Sequence, residues 1–424
     1  MTEHTGTQTA HRYDSPFAEM SDSHHDIVIV GGGIVGLAVM LEITKRFPWL
    51  RPLLLEKEAL VGQHQSGHNS GVIHSGVYYK PGSLKARLCV DGARALVEFC
   101  RSHGIAYRIC GKVIVAVREE ELPRLEDLRR RGEANGISAL RIIGPEELRD
   151  IEPHASGIRA LVVPATGITD YATICEKYAE LIIQQGGTIR TSAQVNGLKT
   201  FPGEIAVTTT ASSYVTKYLI NCAGLFSDRI ARLAGGNSGM IIVPFRGEYY
   251  DLIPGRASLV RTLIYPVPDP QFPFLGVHFT RRINGTVDAG PNAVLAFRRE
   301  GYRRSDFSLR DTASSLAFSG FWRMVAKHWC NGLDEFRRSF SKTAFVNALQ
   351  RLLPELRTED LVPGGSGVRA QAVRRDGTLV DDFCFVSSGR MLHVLNVPSP
   401  AATASLAIAR EIVRTAENDL GLGK

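Results

Sequence analysis

The sequence predicts an α/β protein in which a domain built on a parallel sheet is interrupted by an inserted α+β domain with a mostly antiparallel sheet. Three observations carry this reading. A continuous apolar strand runs through a glycine turn into an apolar-faced helix at 26–41, and a second strand ending in a glycine turn follows at 218–224. Between 241 and 297, strand-like runs alternate with Pro/Gly turns. With 424 residues, 44% apolar and 22% charged, the chain can fill two cores.

Residues 26–41 read DIVIVGGGIVGLAVML. Ile27 to Val30 form the strand, Gly31-x-Gly33-x-x-Gly36 the turn, and the helix follows. Gly31 permits the tight turn, Gly33 lets backbone approach a pyrophosphate, and Gly36 lets the helix lie close to the strand. The helix N-terminus then faces the phosphates. A second strand, Pro52 to Leu55, ends in Glu56, twenty residues after Gly36, where a carboxylate accepts hydrogen bonds from ribose hydroxyls. Together these define a Rossmann-type dinucleotide site, open at this point to NAD, NADP or FAD. A second GxGxxG is missing, which argues against a separate nicotinamide domain. Met40 stands where small residues often pack on the sheet, so packing is expected to differ there.

Downstream, GHNSGVIHSGVYY (67–79) crowds polar groups around a short apolar step. Leu84 to His103 has helical apolar spacing, Lys112 to Val117 is strand-like, and 119–132 reads as a charged helix with an exposed face. Pro145 opens a short helix, and Asp170 caps an amphipathic helix that ends in glycines at 186–187. YLINCAG (218–224) is a strand running into a glycine turn, with Asp228 opening the next helix. Gly224 and Asp228 are therefore candidates for a second approach to the cofactor. Residues 298–343 are helical and basic, and a closing helix begins around Pro400. The expected division is a disordered tail over 1–24, a discontinuous nucleotide domain over 25–88, 165–235 and 361–424, and a substrate domain over 89–164 and 236–360.

The formal charge of +7 and a pI of about 9.0 suit anionic partners. The basic residues are scattered and no aromatic-interleaved run marks a nucleic-acid surface, which leaves an acidic small molecule or a membrane face. Seven cysteines, at 89, 100, 110, 175, 222, 330 and 384, form no CxxC pair, so no metal site is expected and the thiols read as reduced. The first 24 residues are polar and contain no signal-peptide core. The longest apolar run, Ile27 to Leu41, holds four glycines and falls short of the roughly 18 residues that span a bilayer.

Long strings carry a resemblance: IVGGGIVG, LLEKE, GHNSGVIHSGVYYKPGSLKA, FCRSHGIAY, CGK, PFRGEYY, IYPVPDPQFPFLGVH, GPNAVLAF, REGYR, GVRAQAV and PSPAATAS. Spread over roughly residues 25–415, they resemble the FAD-dependent D-amino-acid oxidase superfamily and, within it, the L-2-hydroxyglutarate dehydrogenase (oxidase) family. The resemblance implies FAD, oxidation of L-2-hydroxyglutarate to 2-oxoglutarate and, as in bacterial relatives, electron transfer to membrane quinone. A flavin enzyme for another 2-hydroxy acid, glycerol 3-phosphate or an amino acid would share the cofactor site.

Residue roles follow from the same resemblance. Ser66, Asn69, Ser70 and Gly71 offer small side chains and hydroxyls to the cofactor. His74 and His278 are both candidates to take the substrate's hydroxyl proton, a task suited to an imidazole of ordinary pKa about 6.5. Arg246 and Arg369 are candidate carboxylate clamps, with Tyr79 and Lys85 beside them; the alternative is that the arginines pair with Glu248 or Asp381 as scaffold. Pro400, Ala401, Ala402 and Thr403 precede a helix whose N–H groups would face the flavin's pyrimidine edge and stabilise its reduced, anionic form. Ten Lys/Arg against five Asp/Glu over 298–343, with Phe318, Phe321, Trp322, Met324 and Trp329, suit either peripheral contact with anionic lipid or a basic face over core aromatics. A cytoplasmic protein, peripheral on the inner face of the membrane, is the resulting expectation.

Overall fold

The computed structural model describes residues 23–236, 238–269 and 275–423. The tail expected over 1–24 lies outside the described residues as far as position 22. β1 (His24–Val30) already starts at His24, runs through Gly31 into α1 (Ile34–Arg46), and pairs in parallel with β2 (Pro52–Leu55) on one side and Ser213–Asn221 on the other. Thr188–Arg190 extends the parallel sheet beyond β2, and Met391–Asn396 extends it beyond Ser213–Asn221. Antiparallel strands Val195–Phe201, Glu204–Thr209 and Cys384–Ser388 close the edges. β2 and Met391–Asn396 are buried along their whole length, as strands covered on both faces must be.

Close contact fixes the motif glycines. Gly31 has φ 110°, and a Cβ there would lie 2.5 Å from the Cys222 carbonyl oxygen. A Cβ on Gly36 would lie 2.0 Å from the Gly31 oxygen, so α1 rests directly on the turn. Met40 is fully buried, and its room comes from Gly187, where a Cβ would stand 3.0 Å from Met40 Cε. A large residue at 40 is thus matched by an absent side chain at 187.

The small strand β3 (Val72–Ile73) pairs with Gly167–Thr169, which also pairs with Tyr107–Arg108. α2 (Leu84–Ser102), capped by the Ser83 hydroxyl, adds Leu88, Leu96, Phe99 and Cys100 to the core over the first sheet. The boundary expected at 88–89 therefore falls inside one helix. The second sheet contains Lys112–Ala116, Arg141–Ile143, Arg159–Val163, Met240–Leu252, Leu263–Pro266, His278–Arg281, Val287–Gly290, Val294–Leu295 and Leu361–Arg374. Its pairs are antiparallel except for Leu263–Pro266 with Lys112–Ala116.

Two expectations are corrected. Leu361–Arg374, assigned from sequence to the nucleotide domain, pairs along its length with Met240–Leu252, and the chain rejoins the first sheet only at Cys384. The closing helix runs Ser405–Leu420, later than the expected start near Pro400, because 398–404 form turns with Ala401 N bonded to Pro398 O and Ala404 N to Pro400 O.

The tight seat of α1 has a measurable consequence. Gly36→Ala is expected to cost about 2 kcal/mol or more by forcing a side chain onto backbone, seen as a lowered denaturation midpoint. Gly255→Ala, where nothing lies within 4 Å, serves as the comparison and should shift it by less than about 0.5 kcal/mol.

Candidate active site

A cavity of about 760 Å³ lies between the two sheets. Its wall is built from the loop after β2, the strands carrying Gly247, Tyr265 and His278, the 367–371 stretch and the turn 397–403. Helix Leu122–Ala134, expected only as an exposed charged face, contributes Arg124, Asp127 and Arg131 to the rim.

The glycine turn is built to receive a dinucleotide. Glu56 is buried at the end of β2, where its Oε2 accepts Gly32 N–H at 2.6 Å and its Oε1 accepts Glu58 N–H at 2.8 Å. Each oxygen keeps a lone pair for a ribose hydroxyl. Gly33 is the extended N-cap of α1 with no side-chain cap, and a Cβ there would meet only Ser66 Oγ, at 3.4 Å. Ser66 Oγ accepts Ile34 N–H at 2.9 Å. Approachable amides at a helix N-terminus beside a buried carboxylate fit phosphate and ribose in the order the motif requires.

Asn69 shapes the following loop, donating to Gln65 O at 3.1 Å and Ser66 O at 2.8 Å while accepting Gly71 N–H at 2.9 Å. Gly71 has φ 70°, and a Cβ there would press on Thr169 O at 2.6 Å. Asn69 and Ser70 line the cavity, as do Pro400, Ala401, Ala402 and Thr403. Gly224 sits beside the Gln65 amide, with φ 50°. Asp228 is corrected: its carboxylate is taken up by Arg299 and Arg232, each 2.8 Å from Oδ2, and by Ile242 N–H. Its charge serves the scaffold.

Both candidate histidines line the cavity. His278 donates Nδ1–H to Gly276 O at 2.8 Å, which leaves Nε2 as the basic nitrogen, and it stacks on Tyr265 at 3.8 Å. Burial, with Arg369 and Lys112 nearby, holds its pKa down at about 3. His74 is positioned by its backbone N–H, which donates to Thr403 Oγ1 at 3.1 Å, and its Nε2 lies 3.5 Å from Ser399 Oγ. Burial, then the charges of Lys112, His278, Lys85 and Arg369, hold it at about 3 as well. Two imidazoles stay neutral, with lone pairs available.

Tyr79, Lys85 and Arg369 are brought together in the wall. Lys85 lies 5.1 Å from the centroid of the Tyr79 ring and pairs with Asp381 at 3.0 Å. Arg246 is not among them. It pairs with Glu248 at 3.0 Å and donates to Arg303 O, because alternate residues of a strand face opposite ways and the cavity receives Gly247 and Tyr249 instead. Lys112 was not legible as a site residue, since a lysine opening a strand reads as solvent-facing; it is buried between Tyr78 and Tyr265. Away from the cavity, Glu58, His64 and Glu300 converge, but Lys57 already sits among them and balances the carboxylates.

A nucleotide turn facing an antiparallel sheet with two neutral histidines defines a dinucleotide-dependent oxidoreductase. The profile of the family described as FAD dependent oxidoreductase (DAO) matches residues 26–415. L-2-hydroxyglutarate dehydrogenase of Indibacter alkaliphilus is 50% identical over 383 residues, covering 90% of this chain and 96% of that protein. The mitochondrial L-2-hydroxyglutarate dehydrogenase of Homo sapiens is 47% identical over 406 residues, covering 92% and 88%. Dithionite-reduced L-alpha-glycerophosphate oxidase from Mycoplasma pneumoniae with FAD bound shares the fold, with a TM-score of 0.77 at 23% identity over 93% of this chain and 95% of that one. The chain belongs to the L-2-hydroxyglutarate dehydrogenase family of FAD-dependent oxidoreductases. FAD is the cofactor, as expected from sequence, and the Gly31–Glu56 cradle fits it.

Neutral histidines set the pH response. A base with its value near 3 loses its lone pair only below that pH, so kcat/KM is expected to show no histidine limb between pH 8 and 5. An acid-side inflection near 6.5 that disappears in His74→Ala or His278→Ala would contradict this.

Proposed function

We propose that the chain oxidises L-2-hydroxyglutarate to 2-oxoglutarate and passes the electrons from FAD to a quinone at a membrane surface. The observation that carries the reading is one cavity holding Arg369, Lys85 and two neutral imidazoles, in a chain 50% identical to an L-2-hydroxyglutarate dehydrogenase. Arg369 and Lys85 offer cationic groups to the substrate's carboxylates. An imidazole lone pair, at His278 Nε2 or His74 Nε2, takes the hydroxyl proton as the C2–O bond becomes a carbonyl. FAD, when bound, accepts the hydride leaving C2 with its electron pair. Tyr78, Tyr79, Tyr249 and Tyr265 wall the cavity with rings, which limits water and strengthens the electrostatics inside. Ser66, Ser70 and the 400–403 turn support the cofactor side.

Helix Ser319–Phe340 supports the membrane part of the proposal. Phe321 and Met324 belong to the core, whereas Trp322, Trp329, Leu333 and Phe340 are 55 to 75% exposed beside exposed Arg323, Lys327 and Arg337. Apolar and cationic groups on one exposed surface suit peripheral contact with anionic lipid. No helix among the described residues is long and apolar enough to cross a membrane.

Anaerobic titration tests the substrate: L-2-hydroxyglutarate should bleach the flavin absorption, and D-2-hydroxyglutarate and glycerol 3-phosphate should leave it unchanged. Bleaching by glycerol 3-phosphate alone would transfer the chain to another substrate. For the membrane contact, sedimentation with anionic vesicles should show binding at low salt that weakens with added salt and with Trp322→Ser/Trp329→Ser; no binding at low salt refutes it.

A further inference from the structure

Lys112 is 2% exposed at the start of its strand. Its ammonium lies 4.3 Å from the ring centroid of Tyr78 and 4.9 Å from that of Tyr265, and Tyr265 stacks on His278. Both ring partners and His278 line the cavity, so the cation stands directly behind the wall. Among the described residues the Lys112 ammonium makes no hydrogen bond and no ion pair. The cations at the rim differ: Lys85 pairs with Asp381 at 3.0 Å, Arg124 with Asp269 at 3.5 Å and Arg131 with Asp127 at 2.6 Å.

A buried ammonium without an anion is costly, and ring contacts offset only part of that cost. Among the described residues no carboxylate acts on it. Cys89 faces it as a neutral thiol, pushed by burial up to about 12. His74, His278, Lys85 and Arg369 are neutral or positive, and burial raises the Tyr78 phenol well above its usual range. Burial also lowers Lys112 itself to about 7, so at pH 8 it is mostly uncharged.

We infer that Lys112 is a positioning residue that provides the buried counter-charge for a dicarboxylate and takes up one solvent proton as that ligand binds. The inference rests on the substrate class proposed above. An anion entering the cavity favours the charged amine, so –NH2 plus H⁺ becomes –NH3⁺ on binding. Affinity then falls as pH rises above the value of the free enzyme.

The test is calorimetric titration of the oxidised holoenzyme with glutarate, a dicarboxylate without the oxidisable hydroxyl, in buffers of different ionisation heat. Wild type should take up about one proton per glutarate at pH 8 and almost none at pH 6, and its Kd should rise about tenfold between pH 8 and 9. Lys112→Arg, always charged, and Lys112→Met, never charged, should take up none at pH 8 and bind with pH-independent affinity. Histidines held near 3 are too acidic to supply uptake at pH 8. Wild-type binding without proton uptake overturns the inference alone and needs no variant to fold. Uptake that persists in either variant, checked for intact flavin absorption, also overturns it. Failure of glutarate to bind at any pH removes the dicarboxylate reading and the inference with it.

Discussion

One buried hydroxyl joins the parts of the cavity. Thr403 Oγ1 accepts the His74 N–H at 3.1 Å and shares a triangle with the Tyr171 hydroxyl at 2.8 Å and the Val72 carbonyl at 3.2 Å. Tyr171 in turn donates to Val72 O at 2.8 Å. These contacts tie the loop after β2, helix Tyr171–Gln184 and the turn before Ser405–Leu420, segments from three distant parts of the chain. Thr403 is 1% exposed, so loss of the hydroxyl would leave a buried N–H without its partner. His74 is therefore held through its backbone, and its ring is left to face the cavity.

Charge is sorted by depth. At the rim, arginines and lysines pair with aspartates, where solvent screens the pairs and each adds little to stability. Deeper, positive groups gather around the imidazoles, and burial favours every neutral form. The histidines remain bases well below the range in which free imidazole protonates. The same arrangement leaves a positive field for anionic ligands. The charges that favour an anion thus also weaken the imidazoles as proton acceptors.

The glycine turn and Glu56 were legible because their constraints are local: a contact of 2.0 Å between a would-be Cβ and the backbone oxygen of Gly31 dictates glycine at 36 whatever the rest of the chain does. The cap at Asp170 was legible for the same reason, its carboxylate accepting Ala172 N–H. Arg246 takes the Glu248-paired alternative and Asp228 a scaffold role, because both depend on which way a strand or helix faces, which residue type does not reveal. Leu361–Arg374 was assigned to the wrong sheet because its partner, Met240–Leu252, lies over a hundred residues earlier. Lys112 was invisible for a related reason: only the register of two strands and the fold of the 67–79 loop bring two tyrosine rings to its ammonium.

The pairing of Met240–Leu252 with Leu361–Arg374 decides which arginine can face the cavity. Phe245 lies opposite Arg369, and Arg246 opposite Val368. Directly opposed residues share a face and neighbours along a strand do not, so Arg246 and Arg369 point to opposite sides and only one can reach a ligand in the crevice. On the face of Arg369, Gly247 lies opposite Gly367, and neither position has room for a side chain: a Cβ on Gly367 would lie 2.5 Å from His68 O, and one on Gly247 would lie 2.8 Å from Pro291 Cβ. The paired glycines let the cofactor-side loop come down onto the strand. Gln65 Oε1 then accepts Ala370 N–H, and His68 Nδ1–H donates to Ser366 O. A strand of the second sheet is thereby hydrogen-bonded to the loop that leaves the nucleotide turn. Arg369 is fixed relative to the cofactor cradle by these backbone contacts, which is the registration that a reaction between two bound molecules requires.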